Sequence, residues 1–559
     1  LWNIRKGLFP SVGAMRESGT TVIIEDVCFP VERLAEAASA LEELLQTHGY
    51  MDAIVFGHAL EGNLHFVFKQ DFNKAAEVRR YGDFMDALTK LVVQRFDGAL
   101  KAEHGTGRNM APFVQREWGA EAYDLMKEIK EIFDPENLLN PGVILNPDPR
   151  AHLKDLKPLP VAHEAVDKCT ECGFCERHCP SRDLTLTPRQ RIAVYREVKR
   201  LEKTGENPRR LRDFARAFSY AGEKTCAADG LCSLSCPVGI DTGKLVKSLR
   251  AENHSWAGRL AAAWAARHMA GAAAAGRFVL GAAGKFLPSS FSWLPRPAKP
   301  LVRRTNMRDP VVYFPSCASR VFGAYRGASE SPDLIRRTES LLDKAGYDAF
   351  YPEGADGLCC GLAFASKGFE SLAREKAAEL AAALEAASAG GQLPILFDTT
   401  PCLQRLRDFQ NSAGNPGQKK LPLHDIAEFA RLYLKPRLHF SPVHETAALH
   451  LTCSSLKMGL DAAQKEAAGW CVEKLVLPET GCCGVAGDKG FFVPEISRSA
   501  LRGLKEKLGG AANGYATSRT CEMGLTRHSG IFYESLAVLL DKASSPAKSG
   551  SGKRKKQHA

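Results

Sequence analysis

The 559-residue chain lacks any uncharged apolar run of the roughly 20 residues that a membrane-spanning helix needs. Its most apolar stretch, "GRLAAAWAARHMAGAAAAGRFVLGAAGKFLP", is interrupted by Arg259, Arg267, Arg277 and Lys285, so it does not cross a membrane as a helix. The chain also lacks a Gly-x-Gly-x-x-Gly turn opening a strand-turn-helix, which argues against a nicotinamide dinucleotide fold. Nor does it have the cysteine density of a disulfide-stapled miniature. With 45% hydrophobic and 25% charged residues it is ordinary globular material, and at this length several domains are expected. Part of the formal charge of +11 sits in the tail "SSPAKSGSGKRKKQHA", where Lys553, Arg554, Lys555 and Lys556 follow a Ser/Gly/Pro spacer. No nucleic-acid motif accompanies them, so 542–559 reads as a disordered basic tail and no nucleic-acid partner is expected.

What the chain does have is seventeen cysteines, many at chosen spacings. In a large chain without a secretory pattern they read as thiolate ligands in a reducing compartment rather than as crosslinks. "CTECGFCERHCP" places Cys169, Cys172, Cys175 and Cys179 before Pro180, the ligand run of a bacterial ferredoxin. Tetrahedral zinc takes paired CxxC knuckles some 15 to 20 residues apart and has no need of the CxxxCP ending, so iron-sulfur is the preferred reading. "CAADGLCSLSCP" repeats the spacing with Cys226, Asp229, Cys232 and Cys236, aspartate replacing the second cysteine. By the crossover of two-cluster ferredoxins, one 4Fe-4S cluster is expected on Cys169, Cys172, Cys175 and Cys236. The other falls on Cys179, Cys226 and Cys232 with Asp229 facing the fourth iron, a set that can settle as 3Fe-4S. Cys28 and Cys471 are left over and read as buried small hydrophobes.

Hydrophobic patterning divides the chain further. Residues 20–100 alternate a strand "TVIIEDVCF", a helix "PVERLAEAASALEELLQTHG", two strands "AIVFGHA" and "LHFVF" around the turn "LEGN", and a helix from about Asn73. Strands joined by so short a turn are antiparallel. The fold class expected is multidomain α+β: an antiparallel-sheet domain over 1–146, a linker over 147–164, a helical two-cluster ferredoxin domain over 165–250, an Ala-rich linker helix within 251–308, and a duplicated α/β unit. Thr187 and Pro188 mark a helix start. In 251–308 the four cations fall within about 80° of one another on a helix, leaving a broad apolar face. A helix packed between domains is the preferred reading, and one lying on an anionic membrane surface the alternative. The duplication shows as "VVYFPSCAS", "GLCCGLAFASKGF" and "ILFDTTPC" (309–430) echoed by "ALHLTCSS", "GCCGVAGDKGFF" and "GYATSRTC" (445–541).

In these repeats Cys317, Cys359, Cys360 and Cys402, then Cys453, Cys482, Cys483 and Cys521, resemble the CCG cysteine-rich domain of heterodisulfide reductases and of iron-sulfur subunits of glycolate and glycerol-3-phosphate dehydrogenases. Thr399 and Ser518 stand where that pattern has a further cysteine. The resemblance implies either a further cluster or redox-active thiols. Residues 1–146, through "GHALEGNLH", "KAEHGTGR" and "DPENLLNPGVIL", resemble the C-terminal cap of FAD-linked oxidases in the glycolate oxidase and D-lactate dehydrogenase branch. Together with the clusters the architecture is similar to fused bacterial D-lactate dehydrogenases of the FAD and iron-sulfur type. The start at Leu1 falls mid-pattern, and on this resemblance a FAD-binding domain that holds most of the flavin is expected before it.

The resemblance implies oxidation of a D-2-hydroxy acid, most readily D-lactate, with electrons relayed to a quinone or cytochrome. It further implies a cytoplasmic enzyme, peripheral on the cytoplasmic face of the inner membrane. His58 and His65 sit at the ends of paired strands, so they can converge with Glu103 on zinc or another divalent ion with an open position. By resemblance His104 takes the hydroxyl proton, Arg5 binds the carboxylate, Asn63 orients the substrate, and Asn140 and Gly142 lie at the cofactor. Ile24 stands where relatives selective for a second carboxylate have lysine, which disfavours 2-hydroxyglutarate. An iron-sulfur subunit with no catalysis of its own is the rival reading, and it has no use for "GHALEGNLH" or "AEHG".

Overall fold

The computed structural model describes residues 12–547 apart from 14, 158, 285, 287, 289–290, 303–306, 328–332 and 413–419; Arg5 and the basic cluster 553–556 lie outside them. The chain divides into two compact units. The first comprises Leu1–Phe174, Arg189–Ala215 and Cys236–Ile240; the second comprises Cys175–Pro188, Arg216–Ser235 and Asp241–Ala559.

In the first unit β1 (Thr21–Cys28), β2 (Ile54–His58) and β3 (Asn63–Gln70) form an antiparallel sheet in the order β1-β3-β2, as the short turn before β3 dictates. α1 (Leu34–Thr47) and α2 (Ala75–Lys90) cover one face, and Val27, Leu41, Leu64, Phe66, Phe68, Phe84 and Leu88 form the core between them. Strand side chains alternate between faces, so Leu64, Phe66 and Phe68 on the core side leave Asn63 and His65 on the other. α3 (Val114–Phe133) is broken at Gly119, which adopts φ 79° and ψ 169°. The segment expected as a linker does not run free. Ala151–Leu153 forms a short turn of helix whose buried His152 ring lies 4.9 Å from Phe113, and Leu153 packs on the domain core. α4 (Pro188–Thr204) begins at the expected proline.

The second unit carries two four-stranded parallel sheets. β4 (Pro310–Phe314), β5 (Asp348–Phe350), β6 (Ile395–Phe397) and β7 (Leu423–His424) run in the order β5-β4-β6-β7. β8 (Val443–Leu449), β9 (Val472–Val476), β10 (Asn513–Ala516) and β11 (Tyr533–Ser535) run β9-β8-β10-β11, the same order. Short apolar runs such as "VVYF" and "ILF", buried on both sides, are what parallel strands under crossover helices require. One core, with Val311, Tyr313 and Leu341 from the first repeat and Leu449, Tyr515 and Leu539 from the second, joins the two.

Further expectations change. The Ala-rich segment is not one helix: His268, at φ −118° and ψ 38°, separates α5 (Trp256–Arg267) from α6 (Met269–Ala283). Its packing is two-sided. Ala262, Ala266 and Met269 rest on Phe364, Ala365 and Ala373 of the first repeat, whereas Trp256, Leu260 and Trp264 are 77%, 61% and 60% exposed. The tail begins later than expected, because the helix α7 (Leu536–Ala543) continues into a strand, Ser544–Pro546, paired antiparallel with Leu438–Phe440. Among the described residues no helix is long and apolar enough to cross a membrane. Cys471 is buried as expected, but Cys28 is only half-buried, its thiol donating to the Glu61 carbonyl at 3.4 Å.

Candidate active site and cysteine centres

The sheet face turned away from the helices carries the first site. Asp26 and Phe56 lie opposite His65, and His58 lies opposite Asn63, so period-two alternation aligns Asp26, His58, Asn63 and His65 on that face. The turn between β2 and β3 requires its glycine: Gly62 has φ 65°, and a Cβ there would lie 2.0 Å from the Phe29 carbonyl oxygen. Glu103 approaches from the loop after α2, its Oε1 2.8 Å from His65 Nε2 and 3.4 Å from His58 Nε2.

Asp26 holds that loop. Its Oδ2 accepts from the amides of Ala102, Glu103 and His104 at 3.1, 2.7 and 3.0 Å, and its Oδ1 lies 3.4 Å from Lys101 Nζ and 3.3 Å from His104 Nδ1. Burial raises the Asp26 pKa, but the Glu103 and His104 amides and Lys101 outweigh it, and the carboxyl stays below its ordinary range. The His104 ring stacks on His65 with centroids 4.9 Å apart. Behind the sheet Glu25, raised by burial, pairs with Lys101 and accepts from Asn109 Nδ2 at 2.5 Å. Sequence reasoning missed Asp26; its only signal was an acidic pair inside an otherwise apolar strand.

The ligand atoms of His58, His65 and Glu103 lie within 4.8 Å of one another, as do those of Asp26, His65 and His104. Burial, then the neighbouring His104, lowers the His65 pKa, which keeps a ring nitrogen free to ligate. Two imidazoles and a carboxylate so placed fit a divalent cation. Asn63 Oδ1 and His65 Nδ1 are buried and have no hydrogen-bond partner among the described residues. Asn140 and Gly142 belong to the turn after α3, both at positive φ, 46° and 75°, with Asn140 exposed.

The two cysteine runs share a backbone as well as a spacing. In the first, Glu171 and Gly173 have φ 60° and 84°; in the second, Ala228 and Gly230 have φ 51° and 78°. The Glu171 amide donates to Cys169 Sγ, and the Ala228 amide to Cys226 Sγ, each at 3.4 Å. Each first cysteine also has its carbonyl capped by a guanidinium. Arg196 and Arg16 donate to Cys169 O at 3.0 Å each, and Arg250 donates to Cys226 O at 2.9 Å. Cys236 lies near enough to Cys169 to act on its thiol, whose pKa burial raises first. Amides turned toward sulfur, with guanidiniums on the adjoining carbonyls, fit thiolate-held iron-sulfur clusters, whose net charge is negative. None of these three arginines was legible as a partner in the sequence.

Asp229 is half-buried, with its Oδ2 shielded from solvent. Its Oδ1 accepts from the Leu231 amide at 2.9 Å, and burial raises its pKa, offset in part by a hydrogen bond from the Cys482 thiol. Ala227 and Leu231 pack with Cys482, so the second run rests on the thiols of the second repeat. In each repeat four thiols form a chain of neighbours. Cys359 bonds with Cys317 and Cys360, and Cys360 lies 3.2 Å from Cys402. Cys482 bonds with Cys453 and Cys483, and Cys483 with Cys521 and His450. The glycine after each pair is steric: Gly361 has φ 81° with a Cβ 2.2 Å from Ala373 O, and Gly484 has φ 73° with a Cβ 3.0 Å from Ile496 O. Thr399 and Ser518 are N-cap residues of the helices Thr400–Gln410 and Arg519–Ser529.

Two families match segments of this chain: residues 1–144 match the FAD linked oxidases, C-terminal domain, and residues 165–240 the 4Fe-4S dicluster domain. The chain is similar to a mitochondrial D-lactate dehydrogenase [cytochrome] of Arabidopsis thaliana, 32% identical over 147 residues, which are 26% of this chain and 25% of that protein. It is also similar to a D-2-hydroxyglutarate dehydrogenase of Haemophilus influenzae, 28% identical over 280 residues, 41% of this chain and 26% of that protein. A glycolate oxidase subunit GlcD of Bacillus subtilis is 29% identical over 140 residues, 25% of this chain and 29% of that protein. The chain therefore spans about a quarter of the length of these curated relatives.

Proposed function

We propose that this chain supplies the substrate side and the electron relay of a FAD-dependent dehydrogenase that oxidises a D-2-hydroxy acid, D-lactate to pyruvate in the first instance. The observation that carries the reading is the group His58, His65, Glu103 and His104, assembled by Asp26 on one sheet face. His58, His65 and Glu103 would hold a divalent metal, zinc first among candidates, which would supply Lewis-acid polarisation of the substrate's hydroxyl and carboxylate. With Nδ1 directed at Asp26, His104 presents Nε2 to the hydroxyl and takes its proton. The flavin, when bound, accepts the hydride from Cα. Asn63, whose buried Oδ1 has no partner among the described residues, orients the substrate. Arg5 as carboxylate ligand rests on resemblance, as do Asn140 and Gly142 beside the flavin.

Cys169, Cys172, Cys175 and Cys236 hold one 4Fe-4S cluster, and Cys179, Cys226 and Cys232 with Asp229 the second; they carry electrons one at a time. The eight CCG thiols hold a further cluster or act as redox thiols. The acceptor is a quinone or a cytochrome, reached from a peripheral position on the cytoplasmic face of the membrane. Full-length gene product assayed with an artificial dye should oxidise D-lactate and leave L-lactate untouched. Fully flavin- and iron-loaded enzyme inert toward every D-2-hydroxy acid would leave the relay-subunit reading in its place.

A further inference from the structure

Within the second unit a cavity of about 420 Å³ lies among Ala227, Arg250, His254, Phe369 and Lys489, the size range of small-ligand sites. His254 and Phe369 stack with centroids 3.7 Å apart and planes 11° apart, which gives the cavity an aromatic side. Arg250 ties it to the second cysteine run: its Nη2 donates to the carbonyls of Cys226 and Glu223 at 2.9 and 3.2 Å, and its Nη1 donates to Ser366 O at 2.6 Å. Those bonds commit the guanidinium to the backbone. Lys367 is paired with Asp488. Lys489 has no hydrogen-bond acceptor or ion pair among the described residues, and burial, then Arg250 and Lys367, lowers its pKa to about 8. Ser255, the N-cap of α5, and Gly258 in its first turn also line the cavity, and the outward face of that helix carries Trp256, Leu260 and Trp264.

We propose that this cavity binds the ring of a lipid-soluble quinone and is where the acceptor of the proposed dehydrogenase is reduced, an inference that rests on that functional reading. A phosphate-bearing ligand would want several uncommitted cations; the cavity offers one. A flat neutral ring beside an aromatic pair, with an ammonium near a carbonyl that gains negative charge on reduction, matches the lining. A protein acceptor needs a surface and has no use for a cavity. The exposed apolar face of α5 marks the side from which a molecule dissolved in a bilayer arrives. The balance is complete. The hydroxy acid loses its Cα–H and O–H hydrogens, two electrons and two protons in all, and becomes the keto acid. The quinone's two C=O groups each become C–OH, one proton passing from the Lys489 ammonium, which solvent replenishes, and one from solvent directly.

The test is calorimetric titration of the oxidised, iron-loaded full chain with duroquinone, whose ring has no open position for a thiol to attack. One site per chain is expected, weakened at least tenfold in Lys489→Met and in Phe369→Leu, with the iron-sulfur absorption of both variants intact. Dye-coupled hydroxy-acid oxidation should persist in both. No binding, or binding indifferent to both substitutions, overturns the proposal, as does inorganic phosphate binding where duroquinone does not. Because binding is read without substrate, failure of the dehydrogenase reading would show separately, as absent dye reduction in a protein that still binds the quinone.

Discussion

Asp26 accepts three consecutive amides and thereby aims Glu103 and His104 at the two histidines of the sheet. On the proposed reading the residues it gathers divide the chemistry between metal ligation and proton transfer, and the division can be measured. Removing a ligand should remove the metal, whereas removing the proton acceptor should not. In full-length enzyme His58→Ala and Glu103→Ala are expected to lose metal by elemental analysis, with turnover partly restored by added zinc or manganese. His104→Ala is expected to keep its metal while the rate falls by about 10² to 10⁴, the usual worth of positioned proton transfer. Wild-type turnover in all three would reduce the group to hydrogen-bonded core residues.

At the scale of elements, one short helix carries a pH-sensitive cap. Asp425 precedes the helix Ile426–Phe429, accepts the Glu428 amide at 2.7 Å and receives Gln464 Nε2 at 2.9 Å. Burial raises its pKa to about 6. A carboxyl raised above its unfolded value favours the folded state most when protonated, and that contribution is lost as pH climbs from about 4 toward 6. Asparagine caps as well and carries no charge. Asp425→Asn should therefore be more stable than wild type at pH 7.5, and the gap in urea unfolding should shrink by about 1 kcal/mol at pH 5. A gap independent of pH would show that the carboxyl is ionised throughout.

Elements also mark what the sequence could say. The twin cysteine runs were legible because their spacing repeats, and both runs place a left-handed residue at the same position, Glu171 and Ala228. The echo between 309–430 and 445–541 was legible because similar motifs recur in order, and the two sheets there run in the same strand order. The short turn joining two paired strands put His58 and His65 near one another, but Asp26 needed the register of β1 against β3 to show which way it faced. The break at His268 left no sign, since no proline or glycine occupies it and the flanking alanines favour helix. Ser544–Pro546 pairs as a strand despite weak strand propensity, because it follows directly on a buried helix.

Over the whole molecule the charge is uneven in a way that single elements conceal. From Asn253 to Arg308 there is no aspartate or glutamate, while Arg259, Arg267, Arg277, Lys285, Arg296, Lys299, Arg303, Arg304 and Arg308 all fall there. The same segment contains α5, with Trp256, Leu260 and Trp264 turned outward. Exposed indoles beside cations and free of acids favour an anionic bilayer surface, where each nearby cation contributes about 1 kcal/mol. The full chain should therefore sediment with phosphatidylcholine vesicles containing phosphatidylglycerol and not with phosphatidylcholine alone. Raising salt from about 0.05 to 0.3 M should release most of it, because screening shortens the reach of surface charge. Leu260→Asp, which puts an acid and a polar group into the apolar row, should weaken binding several-fold at low salt. Removing residues 549–559 separates the tail's contribution from that of α5. Equal sedimentation with neutral and anionic vesicles, or binding that survives Leu260→Asp and vanishes with the tail, would mean that the charge asymmetry of 253–308 does not serve a membrane.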